Sequence, residues 1–354
     1  MTSATSPTMQ NRCHSCLKET PRDFCPACAK RLFGVKKFNA TLDFSLPEIK
    51  SSNGSIRRIS ISGAQPKFSL MVNEGQLEPT ENGGTFILKP AVEGLFDNTK
   101  DMPANEHLTM QMARQIFKID AADNALVYLK DGTPAYITKR FDVLPDGNRI
   151  CQEDFAQVAG LTPGEKGSNY KYDFSYQQIA DLMKQYVSTY PTDVEKYFRL
   201  ILFNYLVCNG DAHVKNFSIY SPNADGVYKL TPAYDLLNTS LHVQELGRTA
   251  LELFSENAAV NDSRDEFRTK SSDDSGADFE TEFFKVNGFY GKPDFMELAR
   301  RIGIKEIRAQ RFIAETCSHL KEMDAIIDRS YLSEQGKALF KVQVKDRAKA
   351  LEMG

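Results

Sequence analysis

Three short runs near the end of the first quarter of the chain read as strands: Arg58-Ile59-Ser60-Ile61-Ser62, in which apolar and polar residues alternate, then Lys67-Phe68-Ser69-Leu70-Met71-Val72 and the apolar Thr85-Phe86-Ile87-Leu88-Lys89. Asn73-Glu74-Gly75 and Asn82-Gly83-Gly84 supply turns, so an antiparallel meander is expected there. The period then lengthens. Pro103-Ala104-Asn105-Glu106 opens a helix to about Phe117, with Leu108, Met112 and Ile116 on one stripe. Two further strands, Ala125 to Lys130 and Ala135 to Arg140, flank an Asp131-Gly132 turn. Beyond them helices dominate: Gln152 to Ala159, Ser175 to Tyr186, and Asp193 to Cys208 with Phe198, Leu202, Tyr205 and Leu206 inward. Short strands Phe217 to Tyr220 and Val227 to Leu230 follow. Residues 255–278 are acidic and Ser-rich with few apolar anchors, which predicts a mobile insertion. Helices return from Lys292 to about Leu332 and from Glu334 to Leu351.

This order predicts an α+β chain of two lobes: a small sheet-rich lobe over 57–150 and a large helical one over 151–354. Residues 1–34 read as a polar tip and a cysteine knuckle, and 35–56 as a linker. With 354 residues, 41% of them hydrophobic, there is material for packed cores, which excludes a collagen, a coiled coil or a wholly disordered chain. A formal net charge of -3 gives no bulk attraction to nucleic acid. No apolar run approaches the roughly 18 residues of a membrane helix, and Met1 to Arg12 lack the apolar segment of a secretory signal, so a cytoplasmic protein is expected.

Four of the seven cysteines form Cys13-His14-Ser15-Cys16 and Cys25-Pro26-Ala27-Cys28, one two-Cys knuckle repeated. Four thiolates at this spacing can surround one Zn²⁺ tetrahedrally and leave no open coordination position, so the expected role is structural. A reduced or redox-active cluster without metal is the alternative, because the gap is shorter than in common zinc patterns. Cys151, Cys208 and Cys317 are scattered and read as core residues or free thiols.

The densest chemistry lies in Asn209-Gly210-Asp211-Ala212-His213-Val214-Lys215-Asn216-Phe217, a turn between a buried helix and a strand. Polar groups are not held together on one rigid turn without use. Asp235 stands alone in the apolar run Pro232-Ala233-Tyr234-Asp235-Leu236, after a strand pair. An Asp, an Asn five residues on, and a second Asp after a hairpin is the order in which protein kinases place a base and two metal ligands. In that order Asp211 is the base, with His213 and Lys215 beside it, and Asn216 and Asp235 hold Mg²⁺. The first lobe supplies the other half. Lys89 ends an apolar strand and Glu106 opens the next helix, where a lysine grips nucleotide phosphates and a glutamate positions it. The turn Ser60-Ile61-Ser62-Gly63-Ala64-Gln65-Pro66-Lys67 can cover phosphates with backbone N–H groups and the Lys67 charge. No Walker A pattern exists.

Together with Phe86-Ile87-Leu88-Lys89-Pro90, Asn105-Glu106-His107, Lys139-Arg140-Phe141-Asp142 and Gln152-Glu153-Asp154, these segments resemble the HipA-type bacterial serine/threonine kinase toxins from about Arg57 to Leu351. The resemblance implies a bilobal protein-kinase-like fold and transfer of the ATP γ-phosphate to a protein serine. It implies that Lys89 contacts the phosphates, that backbone groups of Lys139 and Phe141 form the adenine hinge, and that Gln152 and His213 lie near the nucleotide. Ser62, Gly63, Ala64, Gln65 and Lys67 form its phosphate loop, with Ser60 and Ser62 as autophosphorylation candidates. A phosphoserine there adds nearly two negative charges where nucleotide phosphates dock, which predicts inhibition.

Full-length members carry a subdomain ahead of this loop, for which the 56 preceding residues are too short. The resemblance is therefore to the short HipT-type form of three-gene systems; the cysteine knuckle is not part of either form, though some short relatives begin with similar Cys motifs. It implies an aminoacyl-tRNA synthetase as substrate, a helix-turn-helix antitoxin and a small HipS-like protein as partners, and no direct grip on nucleic acid. A catalytically idle binding protein of the same fold, or a small-molecule kinase, are the other readings.

Overall fold

A computed structural model describes residues 12–52, 66–91, 97–144, 147–223, 225–244, 247–255 and 280–354. The expected strand Arg58 to Ser62 and nearly all of 255–278 lie outside these residues. Five antiparallel strands form the first sheet, β1 (Phe68–Asn73), β2 (Gln76–Pro79), β3 (Phe86–Pro90), β4 (Asn124–Tyr128) and β5 (Pro134–Lys139), in the order β2-β1-β3-β5-β4. The β1–β2 hairpin pairs Asn73 with Gln76 around Glu74 and Gly75, both at positive φ (49° and 81°). Two positive φ values in a two-residue loop match the right-handed strand twist, and glycine adopts one of them without strain. β2 is absent from the expected elements because its one buried apolar residue, Leu77, leaves no alternation to detect.

One face of this sheet, with Phe68, Leu70, Phe86, Leu88, Val127 and Ile137, packs against the N-terminal segment rather than water. That segment carries the cysteine knuckle, α1 (Pro26–Phe33) and α2 (Leu46–Ser52). Gly34 ends α1 in the left-handed region, and Glu48 caps α2 by accepting the Ser45 N–H. Residues 35–52 are therefore not a linker. Phe38, Ala40, Leu42 and Ile49 are buried in the same core, and Ala40 and Leu42 bond the backbone of Tyr128 at the sheet edge. An apolar sheet face has to be covered, and these residues cover it.

The other face meets α3 (Met102–Gln115). A single apolar stripe was expected on this helix, yet every residue from Met102 to Ala113 is buried. It is wedged between the sheet, the knuckle and the second lobe, so its polar residues are buried with partners.

The second lobe continues with β6 (Gln152–Asp154), α4 (Phe155–Val158), α5 (Tyr176–Tyr186), α6 (Tyr190–Leu206), β7 (Ser218–Tyr220), β8 (Lys229–Leu230), α7 (Glu282–Asn287), α8 (Lys292–Arg301), α9 (Glu306–Ser318), α10 (Leu320–Asp328) and α11 (Glu334–Glu352). The helix expected from Gln152 to Ala159 is corrected to a strand followed by one helical turn. Gln152 to Asp154 pair with β7, and Asp154 caps α4 in a reciprocal box with Gln157. Helix α6 is the axis of the larger core, its Tyr197, Phe198, Leu202, Phe203 and Leu206 all fully buried. No helix among the described residues is long and apolar enough to cross a membrane.

Candidate active site

Strand alternation decides where Lys89 points. Phe86 and Leu88 enter the core under the N-terminal segment, so Lys89 faces the opposite side, toward α3 and the second lobe. Its ammonium lies 2.5 Å from Glu106 Oε1 and 2.5 Å from Asp235 Oδ1, and Lys67 Nζ reaches Asp235 Oδ2 at 3.3 Å. Two cations and two anions thus neutralise one another in a site where the Lys89 side chain is 4% exposed and that of Asp235 22%. Burial alone pushes the Lys89 ammonium down, but Asp235 and Glu106 outweigh it and hold its pKa above the ordinary value. Burial wins for Lys67, whose pKa is lowered, and for Glu106, whose pKa is raised. Against the opposing pull of burial, the two lysines hold the Asp235 carboxyl well below the usual carboxylate range.

Asp235 adopts the left-handed region at φ 55°. For a non-glycine residue this costs roughly 1–2 kcal/mol, least for Asp and Asn. The flanking chain enforces it. Ala233 pairs with Ala121, Ala233 N–H donates to Asp120 O, and the Tyr234 hydroxyl donates to Lys215 O at 2.9 Å. On α3, Asn105 secures the other side, donating to Asn238 O at 2.7 Å and accepting the Asn238 N–H at 3.0 Å.

The Asp211 loop is held from beneath. Cys208 turns into the left-handed region at the end of α6. Asn209 donates to Asn204 Oδ1 (3.0 Å) and Asp235 O (3.5 Å) and accepts the Asp211 N–H (3.3 Å), linking the two aspartate segments through one side chain. Gly210 N–H donates to Thr239 Oγ1 at 2.7 Å and Tyr176 OH to Ala212 O at 3.1 Å. The Asp211 carboxylate accepts a hydrogen bond from Tyr172 OH, with Lys171 Nζ at 3.8 Å and His213 Nε2 at 3.9 Å. Burial drives the His213 imidazole down to about 4, so it is neutral near pH 7, and its Nδ1 has no partner among the described residues. Burial likewise lowers the Lys171 ammonium.

Lys89, Glu106, Lys67 and Asp235 meet in one cluster, and Asp211 and His213 lie in one loop joined to it by Asn209. Asn216 turns its Oδ1 inward to accept the His213 N–H at 3.1 Å. Lys215 is not brought to Asp211: it bonds Asp154 Oδ2 at 2.7 Å. Lys139 N–H donates to Asp123 O at 2.7 Å and its side chain to Arg31 O at 3.1 Å. The Phe141 ring contacts Tyr220 and Tyr234, and its N–H has no acceptor among the described residues. Gln152 lies in β6 opposite Tyr220. Ser60, Ser62, Gly63, Ala64 and Gln65 lie outside the described residues. The sequence reading missed Lys171 and Tyr172, which sit in an irregular 3₁₀ stretch without periodicity to mark it.

The donor set fits a magnesium-nucleotide: hard oxygens at Asp235, two lysines for phosphates, and for a ring nitrogen the Phe141 N–H, which has no acceptor among the described residues. Residues 59–323 match the family model described as HipA-like C-terminal domain. The chain is 27% identical over 308 residues to a putative kinase of Haemophilus influenzae, covering 84% of each. To the serine/threonine-protein kinase toxin HipA of Shewanella oneidensis it is 25% identical over 204 residues, 52% of this chain but only 44% of that protein. The HipA structure from Shewanella oneidensis, solved with HipB and operator DNA, superimposes with a TM-score of 0.59 at 19% identity. That match covers 84% of this chain and 66% of the other, and the likeness is one of fold. The expected bilobal, protein-kinase-like α+β architecture is the one observed.

Proposed function

The chain belongs to the HipA-like C-terminal domain family of HipA-type kinases, and from that membership we propose that it transfers the γ-phosphate of ATP to a protein serine or threonine as the toxin of a toxin-antitoxin module. The observation that carries the reading is the meeting of Lys89 from the sheet lobe with Asp235 from the helical lobe, beside Glu106 and linked through Asn209 to Asp211. Lys89 and Lys67 hold the phosphates, and Asp235 and Asn216 hold Mg²⁺. Backbone groups of Lys139 and Phe141 receive the adenine, with Gln152 and His213 at its edge. The bound metal neutralises charge on the transferring phosphoryl group. Asp211 orients the acceptor hydroxyl and takes its proton, and Tyr172 fixes the carboxylate. Lys171 is the cation beside Asp211, while Lys215 positions the loop through Asp154.

By resemblance the acceptor is an aminoacyl-tRNA synthetase, and Ser60 or Ser62 is the site of an inhibitory autophosphorylation. The Shewanella HipA was solved with HipB and operator DNA as a toxin-antitoxin system, which supports an antitoxin partner here; by resemblance that antitoxin is of helix-turn-helix type, and a small HipS-like protein is the second partner proposed. The test is label transfer from γ-labelled ATP to a panel of synthetases and to the chain itself, for the wild type and Asp211→Asn. The wild type is expected to label one synthetase and a peptide spanning Ser60 to Ser62. Equal labelling by both proteins would overturn the assignment of Asp211 as base, and no transfer to any protein would overturn the activity.

A further inference from the structure

The sulfurs of Cys13, Cys16, Cys25 and Cys28 all lie within 4.8 Å of one another, with Cys16 and Cys25 at 3.9 Å. Four sulfurs around one zinc at about 2.3 Å are required by tetrahedral geometry to sit roughly 3.8 Å apart. Cys25 N–H donates to Cys13 Sγ at 3.3 Å and Arg31 to Cys28 Sγ at 3.6 Å, contacts that stabilise thiolate charge. A tetrahedral set of sulfur ligands selects Zn²⁺ or an iron-sulfur cluster, and the close approach of four single sulfurs favours one ion.

What this centre touches is as informative as its ligands. Between Cys13 and Cys16, His14 O accepts the Leu126 N–H of β4, and Ser15 Oγ donates to Asn124 O at 2.9 Å. Ser15 O accepts from His107 Nε2 at 2.8 Å, and Cys16 O accepts from Gln115 at 3.0 Å. Both donors are on α3. Toward the helical lobe, the Tyr331 ring stacks on His14 at 4.8 Å and its hydroxyl donates to Arg12 O at 2.7 Å. Successive residues of a helix point about 100° apart, and three in a row on α3 use this. Asn105 bonds the helical lobe, Glu106 pairs with Lys89, and His107 bonds the knuckle.

We propose that the four cysteines hold a structural Zn²⁺ and that this centre sets the position of α3, and with it Glu106, through the His107–Ser15 hydrogen bond. The 13–25 loop has no helix or strand of its own, so four ligands on one ion fix the Ser15 carbonyl at a point that chain entropy would otherwise blur. His107 is a positioning residue in this scheme. The effect on catalysis rests on the role proposed for Glu106, whereas metal content and helix order do not.

The test uses the full chain, purified without added metal. Elemental analysis is expected to find one zinc per chain, and its absence from fully reduced protein, or iron in its place, would overturn the metal assignment. Removing the zinc with a chelator is expected to speed amide exchange in α3 by about tenfold, the effect of losing one or two hydrogen bonds, and to leave α6 unchanged. His107→Leu is expected to keep the zinc and show the same faster exchange in α3, and His107→Gln, which retains a donor, to restore slow exchange. Should His107→Leu fail to fold, Gln115→Ala, which removes the bond to Cys16 O, gives the milder version, with zinc retained and exchange raised at the end of α3. Unchanged exchange in α3 after zinc removal would overturn the coupling even if ATP transfer were lost. Exchange that changes as expected in a protein without kinase activity would support the coupling and sink only the catalytic reading.

Discussion

Lys89 Nζ stands 2.5 Å from Asp235 Oδ1, a contact between residues 146 apart in sequence and on opposite lobes. The pair closes the cleft electrostatically from within. The groups proposed to grip phosphate and metal satisfy each other here, and Glu106 lies against the same ammonium. The magnesium-nucleotide proposed for this site would therefore meet charges that are already balanced and would compete with these ion pairs.

Lys89→Met removes the common partner of two carboxylates. Asp235 keeps Lys67, but Glu106 is left without its cation in a buried site, which is expected to destabilise the fold by about 3–5 kcal/mol, read from the denaturant midpoint. Transfer from ATP is expected to fall by on the order of 10²- to 10³-fold. A variant with wild-type stability would show that the ion pair is not the latch described.

Asp211→Asn keeps the shape of the side chain and removes the base. Phosphoryl transfer is expected to fall by on the order of 10²- to 10⁴-fold with the KM for ATP little changed, since the role proposed for the residue is on the acceptor rather than the nucleotide. Tyr172→Phe removes only the hydroxyl that donates to Asp211. Its transfer is expected to drop about tenfold, measured as kcat on a protein acceptor. A drop as large as that of Asp211→Asn would mean that Tyr172 does more than hold the carboxylate.

The bilobal fold was legible because strand-like runs predominate in the first part of the chain and helical ones in the second, and the loop around Asp211 stood out because its density of polar groups is uncommon. Other features were not legible. Gln152 to Asp154 form a strand through a partner far along the chain, Ser218 to Tyr220, which local pattern cannot reveal. Residues 35–52 looked like a linker because Phe38, Leu42 and Ile49 are spaced without a period, yet each fills the sheet core. Tyr172 reaches Asp211 only because a 3₁₀ stretch folds back over the loop, and nothing in Tyr170-Lys171-Tyr172 announces it.

Lys171 and Lys215 are two kinds of cation, one beside Asp211 and the other bound to Asp154. Lys215 is bound to Asp154 and its side chain is 36% exposed, so Lys215→Ala is expected to cost at most about 1 kcal/mol in stability. It should lower transfer by less than tenfold, and Asp154→Ala should reproduce that loss. Lys171 is buried beside Asp211, and Lys171→Ala is expected to reduce kcat on the order of 10²-fold. The comparison is made by steady-state kinetics on the same acceptor. A larger loss in Lys215→Ala than in Lys171→Ala would reverse the two roles.

His242 ties the stability of the lobe junction to pH. Its Nε2 lies 2.9 Å from Asn105 Nδ2 and its Nδ1 3.0 Å from Asp97 O. Because Asn105 Oδ1 already accepts the Asn238 N–H, the amide nitrogen must donate to Nε2, so the ring is neutral with its proton on Nδ1. Burial lowers its pKa from the ordinary 6.5, an effect only partly offset by the bond to Asp97 O. The unfolded chain then takes up a proton at a higher pH than the folded one. Stability is therefore full above about pH 6.5 and is lost as pH falls through the folded pKa, with no further loss from this group below it. Buried His14, His107 and His213 act in the same direction, so the wild type alone does not isolate His242. His242→Gln keeps an acceptor for Asn105 without a titrating group. Urea midpoints compared between about pH 8 and pH 5 are expected to fall less steeply for this variant than for the wild type. Parallel curves would mean that the Asn105–His242 contact survives protonation.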